Sequence, residues 1–335
     1  MDSLTPLIRV IGKANGAGLS RDLELIAAAL RKCGPRVEVV EAGRHDARLR
    51  RSRVRRWCAW AQALIAGSSP ERCDLNVMLE HAWPHHMSAA RLNVLVPNPE
   101  WCDRRDQRHL ADFDRIWAKT HSTLRVFDAL GLPTAFIGFD SEDRYDVTVE
   151  REQGYLHVAG KSKMKGTARL IEVWRRHPEW PRLTVVQNSL SVAHPGTMPG
   201  NVEFRRDYLD DQELRRLQNA CQFHICMSEA EGWGHYIAEA MSVGAVIVTV
   251  DAPPMNELVT VERGLLVAWS GQGRQNLSST YEFDTAAFEN AMARALGLGG
   301  SERLALGNAA RQWMVDNKAT FSGRLRSALN TLGVG

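Results

Sequence analysis

The chain opens on an apolar, β-branched run, LIRVIGK, which breaks at the glycine-bearing turn ANGAG. A run of this kind bounded by a glycine turn predicts a buried strand. The next segment, SRDLELIAAALRKCG, carries Leu23, Ile26, Ala27 and Leu30 at helical spacing, with Ser20 as the expected N-cap and Gly34 as the stop. RVEVVEAG then predicts a second strand. Strand, helix and strand in close succession make a βαβ unit, which requires a parallel sheet with helices on its faces.

The alternation continues. Val54, Trp57, Ala61, Leu64 and Ile65 make one apolar stripe, the buried side of a helix whose other face is basic. Strands are predicted at DLNVML, RLNVLVP, FDRIWAK and TAFIGF, with a helix in HSTLRVFDALG. The polar stretch SEDRYDVTVEREQG reads as a linker, and the pattern then restarts with GYLHVAGK, KGTARLIEVWRRHP and RLTVVQNS as strand, helix and strand. NVEFRRD, ELRRLQNA, FHICMS, HYIAEAMSVG and AVIVTVD carry it further. GQGRQNLSST is polar and rich in glycine and serine, the composition of a mobile loop. DTAAFENAMARALG, SERLALGNAARQWMVDNK and FSGRLRSALNTLG predict three closing helices.

A length of 335 residues exceeds what one hydrophobic core usually supports, so two α/β domains are expected. Hydrophobic residues at 44% and charged residues at 24% suit a globular protein with a sizeable core. The sequence contains no apolar run of about 18 residues, and its N-terminus has no basic region followed by an apolar stretch, so a cytoplasmic protein is expected. The six cysteines show neither a CxxC pair nor zinc-ligand spacing. The net charge of +3 says little, but Arg44 to Arg56 holds seven arginines against one acid. That segment is either a solvated helix face or a contact for an anionic surface, including a peripheral one at a membrane, or for nucleic acid.

Ligands of open α/β sheets bind beyond the carboxyl ends of the strands, which directs attention to three turns: Gly12 to Gly18, Gly160 to Gly166 and Ser228 to Gly234. The third is the most informative, because MSEAEGWGHYIAEAMSVGAVIV joins an acid, a glycine-aromatic-glycine turn and a helix bearing a second acid. Gly232 and Gly234 open the backbone to a phosphate or sugar, and amides at the start of the helix offer an anion site. Glu239, two turns on, is placed to accept hydrogen bonds from a ribose diol. The plainer alternative, that Glu231 and Glu239 are surface acids, is disfavoured by the combined motif.

These residues resemble the retaining glycosyltransferases of family 4, whose GT-B architecture sets two Rossmann-like, doubly wound domains across a cleft. Glu231-Gly232-Trp233-Gly234 followed by Glu239-Ala240-Met241 and Gly244 is similar to the family's Glu-x7-Glu element, and PPMNELV to its loop ending in Pro-Glu. VAGKSKMKGTARL resembles the segment in which two cations grip the donor pyrophosphate, with Lys161 where arginine is usual and Lys165 as the family's lysine. The resemblance implies that Glu231, Lys161 and Lys165 are catalytic. It also implies a donor set of Gly16, Gly18, Gly232, Trp233, Gly234, His235 and Glu239. The donor would be a UDP- or GDP-type sugar carrying a hexose, with no metal or other cofactor, and the reaction would proceed with retention. The implied division is an acceptor-side domain over 1–148, a nucleotide-sugar domain over 149–310, and helices over 311–335 packing back on the first.

The chain departs from the family where a catalytic histidine often follows a middle strand, since VLVPNPEWCD supplies Asn98 and Glu100 there. EHAWPHH adds Glu80, His81, His85 and His86, so Glu80, His81, His85, Asn98 and Glu100 are the acceptor-side candidates. Pro84 interrupts the spacing a helical metal site would need, and no metal is expected at these histidines. The acceptor stays open among glycan, lipid, protein and nucleic acid. A catalytically silent nucleotide-sugar or nucleic-acid binding protein and an epimerase or phosphorylase of the same architecture remain as alternatives.

Overall fold

A computed structural model describes residues 5–13, 18–42, 73–188, 197–207 and 209–335. The chain divides into two compact units, Met1–Phe139 with Ala319–Gly335, and Asp140–Lys318. Each is built on a six-stranded parallel sheet.

In the first unit the strands are β1 (Leu7–Gly12), β2 (Arg36–Glu41), β3 (Cys73–Leu79), β4 (Ala90–Val96), β5 (Arg115–Ala118) and β6 (Thr134–Phe136), in the order β2-β1-β3-β4-β5-β6. Its helices include α1 (Gly18–Lys32), the short α2 (Pro84–Met87) and α3 (Arg104–Gln107), and α4 (His121–Asp128). α1 begins at Gly18, so Ser20 lies inside its first turn rather than at the cap. The arginine-rich segment Arg44 to Arg56 and the apolar stripe after it lie outside the described residues.

The second unit pairs β7 (Glu152–Gly160), β8 (Leu183–Gln187), β9 (Val202–Arg205), β10 (Cys221–Cys226), β11 (Val246–Val250) and β12 (Gly264–Val267) in the order β12-β11-β10-β7-β8-β9. Between them run α5 (Thr167–Arg176), α6 (Asp211–Ala220), α7 (His235–Ser242) and α8 (Met255–Leu258). β11 is buried at every position, which explains its unbroken apolar and β-branched sequence: both of its faces are covered. Counted from β7, the strand order runs 3-2-1-4-5-6, and the order reverses between β7 and β10.

Three sequence expectations change. The region read as a mobile loop is an antiparallel hairpin, β13 (Trp269–Gln275) and β14 (Ser278–Phe283). Asn276 takes the left-handed conformation (φ 51°) that its tight turn requires, and Trp269 packs on Tyr281 across the strands. After α9 (Thr285–Gly297), the last two predicted helices are one, α10 (Gly300–Thr331), because no proline interrupts its hydrogen-bond ladder and both internal glycines are tolerated. α10 groups with the second unit through Lys318 and with the first from Ala319. Within the second unit, Gly307 permits the helix backbone to approach the Gly244 carbonyl so closely that a Cβ there would lie 2.2 Å from it.

The polar stretch read as a linker is also a structural part of the second unit. Arg144 is wholly buried, donating to Gln218 Oε1 (2.9 Å), to Asp211 Oδ1 (2.7 Å) and to the Asp211 carbonyl (3.0 Å). Asn219 answers by donating to the Arg144 carbonyl at 2.8 Å. A buried guanidinium is tolerable only with this degree of hydrogen bonding.

Candidate functional site

The crevice at a strand-order reversal is formed because the connections leaving its two strands diverge to opposite faces of the sheet. In the second unit those strands are β7 and β10. The loop leaving β7 is held tight: the Asn188 amide donates to the Gly160 carbonyl (3.0 Å), and Ser162 Oγ accepts from the Met164 amide (3.2 Å). The two loops are then tied together where the Glu229 amide donates to the Met164 carbonyl at 2.9 Å. The hairpin braces the same place, since the Tyr281 amide donates to the Glu229 carbonyl at 2.8 Å.

This geometry brings Lys165 onto Glu231. The Lys165 ammonium donates to Glu231 Oε1, and both side chains are largely buried. Ser228 Oγ contacts the same carboxylate oxygen and also the Tyr236 hydroxyl. The Lys165 ammonium lies 3.9 Å from the centre of the Tyr236 ring. Burial, with the neighbouring Cys226 and Glu231, pushes the Tyr236 phenol well above its ordinary range, so it stays a neutral hydrogen-bonding group. Burial raises the Glu229 carboxyl as well, aided by Glu282.

Two glycines are obligatory beside this pair. Gly166 has φ 65°, and a Cβ there would lie 2.6 Å from the Met227 carbonyl oxygen. Gly234 has φ 97°. Each is the N-cap of the helix that follows, α5 and α7 respectively, and neither helix receives a side-chain cap. By contrast α6, α9 and α4 are capped by the side chains of Asp210, Asp284 and Thr120. The amides of the first turn are orphans of helix geometry, so two helix starts flanking Lys165 and Glu231 are left available to an anion.

The remaining donor candidates are distributed unevenly. Gly232 and Gly234 are buried in the turn, and His235 opens α7 with its Nδ1 2.7 Å from Ser141 Oγ. Trp233 is buried, donates its indole N–H to Ser141 Oγ (3.0 Å) and packs against Trp313, so its role here is to hold the turn. Glu239 is only 3% exposed and accepts from Gln218 Nε2 at 2.8 Å, which joins it to the Arg144 network. Lys161 is exposed. Gly18 opens α1 in the first unit, and Gly16 lies outside the described residues.

In the first unit, the acceptor-side candidates collect beyond β3 and β4. Glu80 takes a left-handed conformation (φ 63°) that a side chain of this kind adopts only when its surroundings impose it. Its amide donates to the Val96 carbonyl (2.9 Å), and its carboxylate accepts from Asn98 Nδ2 (3.2 Å). His81 Nδ1 lies 2.8 Å from Asp106 Oδ2, and Nε2 lies 3.5 Å from Glu80 Oε2. The Asp106 hydrogen bond raises the His81 pKa against the opposing effect of burial. Glu100 is buried near the start of α3, and His85 lies on α2 with its ring 4.3 Å from that of His86. Among the described residues no group of three or more His, Cys, Asp or Glu is arranged to hold a metal ion. None of the described helices is long and apolar enough to cross a membrane.

Sequence reasoning placed Ser228 and Gly166 only as ends of candidate turns, and missed Tyr236 in the second unit and Asp106 in the first. Gly166 carried a signal, being a glycine between a candidate lysine and a helix. Asp106 carried none, since its partner lies 25 residues away.

No family model matches the chain, and no curated protein matches it. Solved structures do match over nearly its whole length. The sucrose-phosphate synthase of Thermosynechococcus elongatus is 15% identical, covering 98% of this chain and 99% of its own, with a TM-score of 0.69. HepE of Anabaena, solved in complex with UDP and glucose, is 15% identical over 96% of this chain and 99% of its own, with a TM-score of 0.68. A glycosyltransferase from Rickettsia africae is 12% identical over 98% of each chain, with a TM-score of 0.67. The chain therefore has the α/β fold of the GT-B glycosyltransferases, with two Rossmann-like parallel sheets.

Proposed function

We propose that this protein is a glycosyltransferase that takes a hexose-type sugar from a UDP- or GDP-type nucleotide sugar, with retention, as a member of family 4. The observation that carries the reading is the Lys165–Glu231 pair at the β7/β10 reversal, between two helices whose only caps are glycines. Among the solved structures of this fold, HepE is described in complex with UDP-glucose, which supports a donor of that class.

Cleaving the bond between a sugar and a nucleoside diphosphate places negative charge on the leaving phosphate. Lys165 and Lys161 neutralise that charge, together with the first-turn amides of α5 and α7, and no metal is required. Donor binding opens the internal pair: Lys165 turns to the pyrophosphate, and the released Glu231 carboxylate accepts from hydroxyls of the transferred sugar. Until then each group keeps the other neutralised, so neither is a stranded buried charge. Ser228 and Tyr236 fix the Glu231 carboxylate, while Gly232, Trp233, Gly234 and His235 shape the turn and Glu239 meets the ribose. Gly16 and Gly18 complete the proposed donor set, and Glu80, His81, His85, Asn98 and Glu100 are the proposed acceptor set. The departing phosphate itself takes the acceptor proton. The protein acts in the cytoplasm, with Arg44 to Arg56 meeting an anionic surface.

Incubation with a panel of UDP- and GDP-sugars, following release of free nucleotide, tests this reading. Release from one donor class, lost in Glu231→Ala, is expected. Binding without turnover under every acceptor condition would favour a silent nucleotide-sugar binding protein instead.

A further inference from the structure

The second unit also holds a cavity of about 380 Å³ at the opposite edge of its sheet from the crevice. Arg151 lies just before β7, Gln222 near the start of β10 and Gly244 in the turn into β11, and all three line it. Amino-terminal strand ends therefore form its floor, whereas Lys165 and Glu231 lie beyond the carboxyl ends. Its volume is in the range of small-molecule sites.

The charge of the lining is unbalanced. Arg151, Arg303 and Arg311 face it against a single carboxylate, Asp146. Arg311 is paired with Asp143 at 2.9 Å. Arg151 spends its guanidinium on neutral acceptors, the carbonyls of Val243 and Gly244, and burial depresses its pKa. Arg303 forms no ion pair among the described residues. Two guanidinium charges are thus left without an acidic partner, an arrangement that favours an anion, with Arg303 offering its fork to a phosphate and Arg151 contributing charge.

The rim is apolar where water would ordinarily select polar side chains. Val147 is 79% exposed and Leu304, one residue beyond Arg303 on α10, is 63% exposed. Tyr145 is also exposed, with the Arg311 guanidinium 4.1 Å from its ring centre. Cations inside and uncovered apolar groups at the mouth together describe a ligand with an anionic head and a small apolar body.

We propose that this cavity binds an organic phosphate monoester, at a site separate from the β7/β10 crevice. The α10 wall is rigidly placed for this, because Gly307 seats the helix against the Gly244 carbonyl. The phosphate lies between Arg151 and Arg303, and the organic body lies against Val147 and Leu304.

Isothermal titration of the full chain with phenyl phosphate tests the proposal, using inorganic phosphate and phenol as partial probes. Phenyl phosphate is expected to bind at millimolar concentration or below, more tightly than either partial probe. Arg303→Gln and Leu304→Glu, both at positions with solvent access, should each weaken it about tenfold or more, while Lys165→Ala should leave it unchanged. Absence of binding at millimolar phenyl phosphate would overturn the proposal. So would equal affinity in Arg303→Gln, equal affinity for inorganic phosphate, or loss of binding in Lys165→Ala, which would move the ligand to the crevice.

Discussion

The two units carry sheets of the same size and parallel sense, yet the turns beyond their strands hold opposite chemistry. In the second unit one ammonium and one carboxylate neutralise each other beside two helix starts that lack side-chain caps. In the first unit a histidine lies between two acids, Asp106 and Glu80, its pKa raised chiefly by the Asp106 hydrogen bond, and Glu80 itself takes a left-handed conformation. Under the proposed function, the first arrangement admits an anion by exchanging a lysine from carboxylate to phosphate. The second sets two carboxylates about one imidazole, which under the proposed function serves an acceptor that offers hydroxyl or amino groups. A repeated scaffold thus carries different chemistry through a handful of turn residues.

The largest expected effect falls on the lysine. On the proposed function, Lys165→Ala takes a cation away from the leaving phosphate and should lower kcat by about 10²–10³-fold with a smaller change in KM, as measured by steady-state nucleotide release. His81→Ala should leave donor affinity intact and change the dependence on acceptor concentration instead. A uniform loss in both variants would erase the distinction between the units.

Next in size are pH effects, whose signs oppose one another. His157 and His224, both buried in the second unit, have pKa values pushed down to about 4 by burial. The unfolded chain takes up their protons near pH 6.5 while the folded unit does not, so stability is lost as pH falls from about 6.5 towards 4, by up to about 3 kcal/mol per histidine. His81 has a raised pKa, so its contribution is full below about pH 6.5 and is lost as pH rises through its folded value. Chemical denaturation across this range, repeated with His81→Gln, should show the first unit alone losing its upper-range dependence.

A backbone effect comes third. Gly166→Ala forces a left-handed residue with its Cβ against the Met227 carbonyl and should cost about 1–3 kcal/mol, read as a lowered thermal midpoint. The smallest effect is expected from Ser228→Ala, which leaves the Lys165–Glu231 pair in place but removes one hydrogen bond to the carboxylate, about 1 kcal/mol. Its donor affinity should fall by less than that of Lys165→Ala.

Much of this organisation is legible in the chain. β7, α5, β10, α7 and β11 follow from apolar runs, glycine turns and helical spacing, because strands buried on both faces leave little choice of residue. The turns that hold Glu231 and Lys165 are also readable, since each follows such a strand, whereas Lys165 itself is picked out by resemblance to the family. What escaped reading depends on distance along the chain. Asp106 on His81 and Arg144 on Gln218 are partners far apart in sequence, and an isolated acid or arginine in a polar stretch carries no mark of its partner. The hairpin of β13 and β14 escaped for a different reason: an exposed ribbon needs no apolar face, so its glycines and serines resemble a loop.

The most direct test is a titration of UDP and GDP into the full chain and into its Lys165→Ala and His81→Ala variants. One of the two nucleotides should bind, with affinity reduced about tenfold or more in Lys165→Ala and unchanged in His81→Ala. Equal binding to Lys165→Ala and the unaltered protein, or a loss confined to His81→Ala, would contradict the placement of the donor at the β7/β10 crevice.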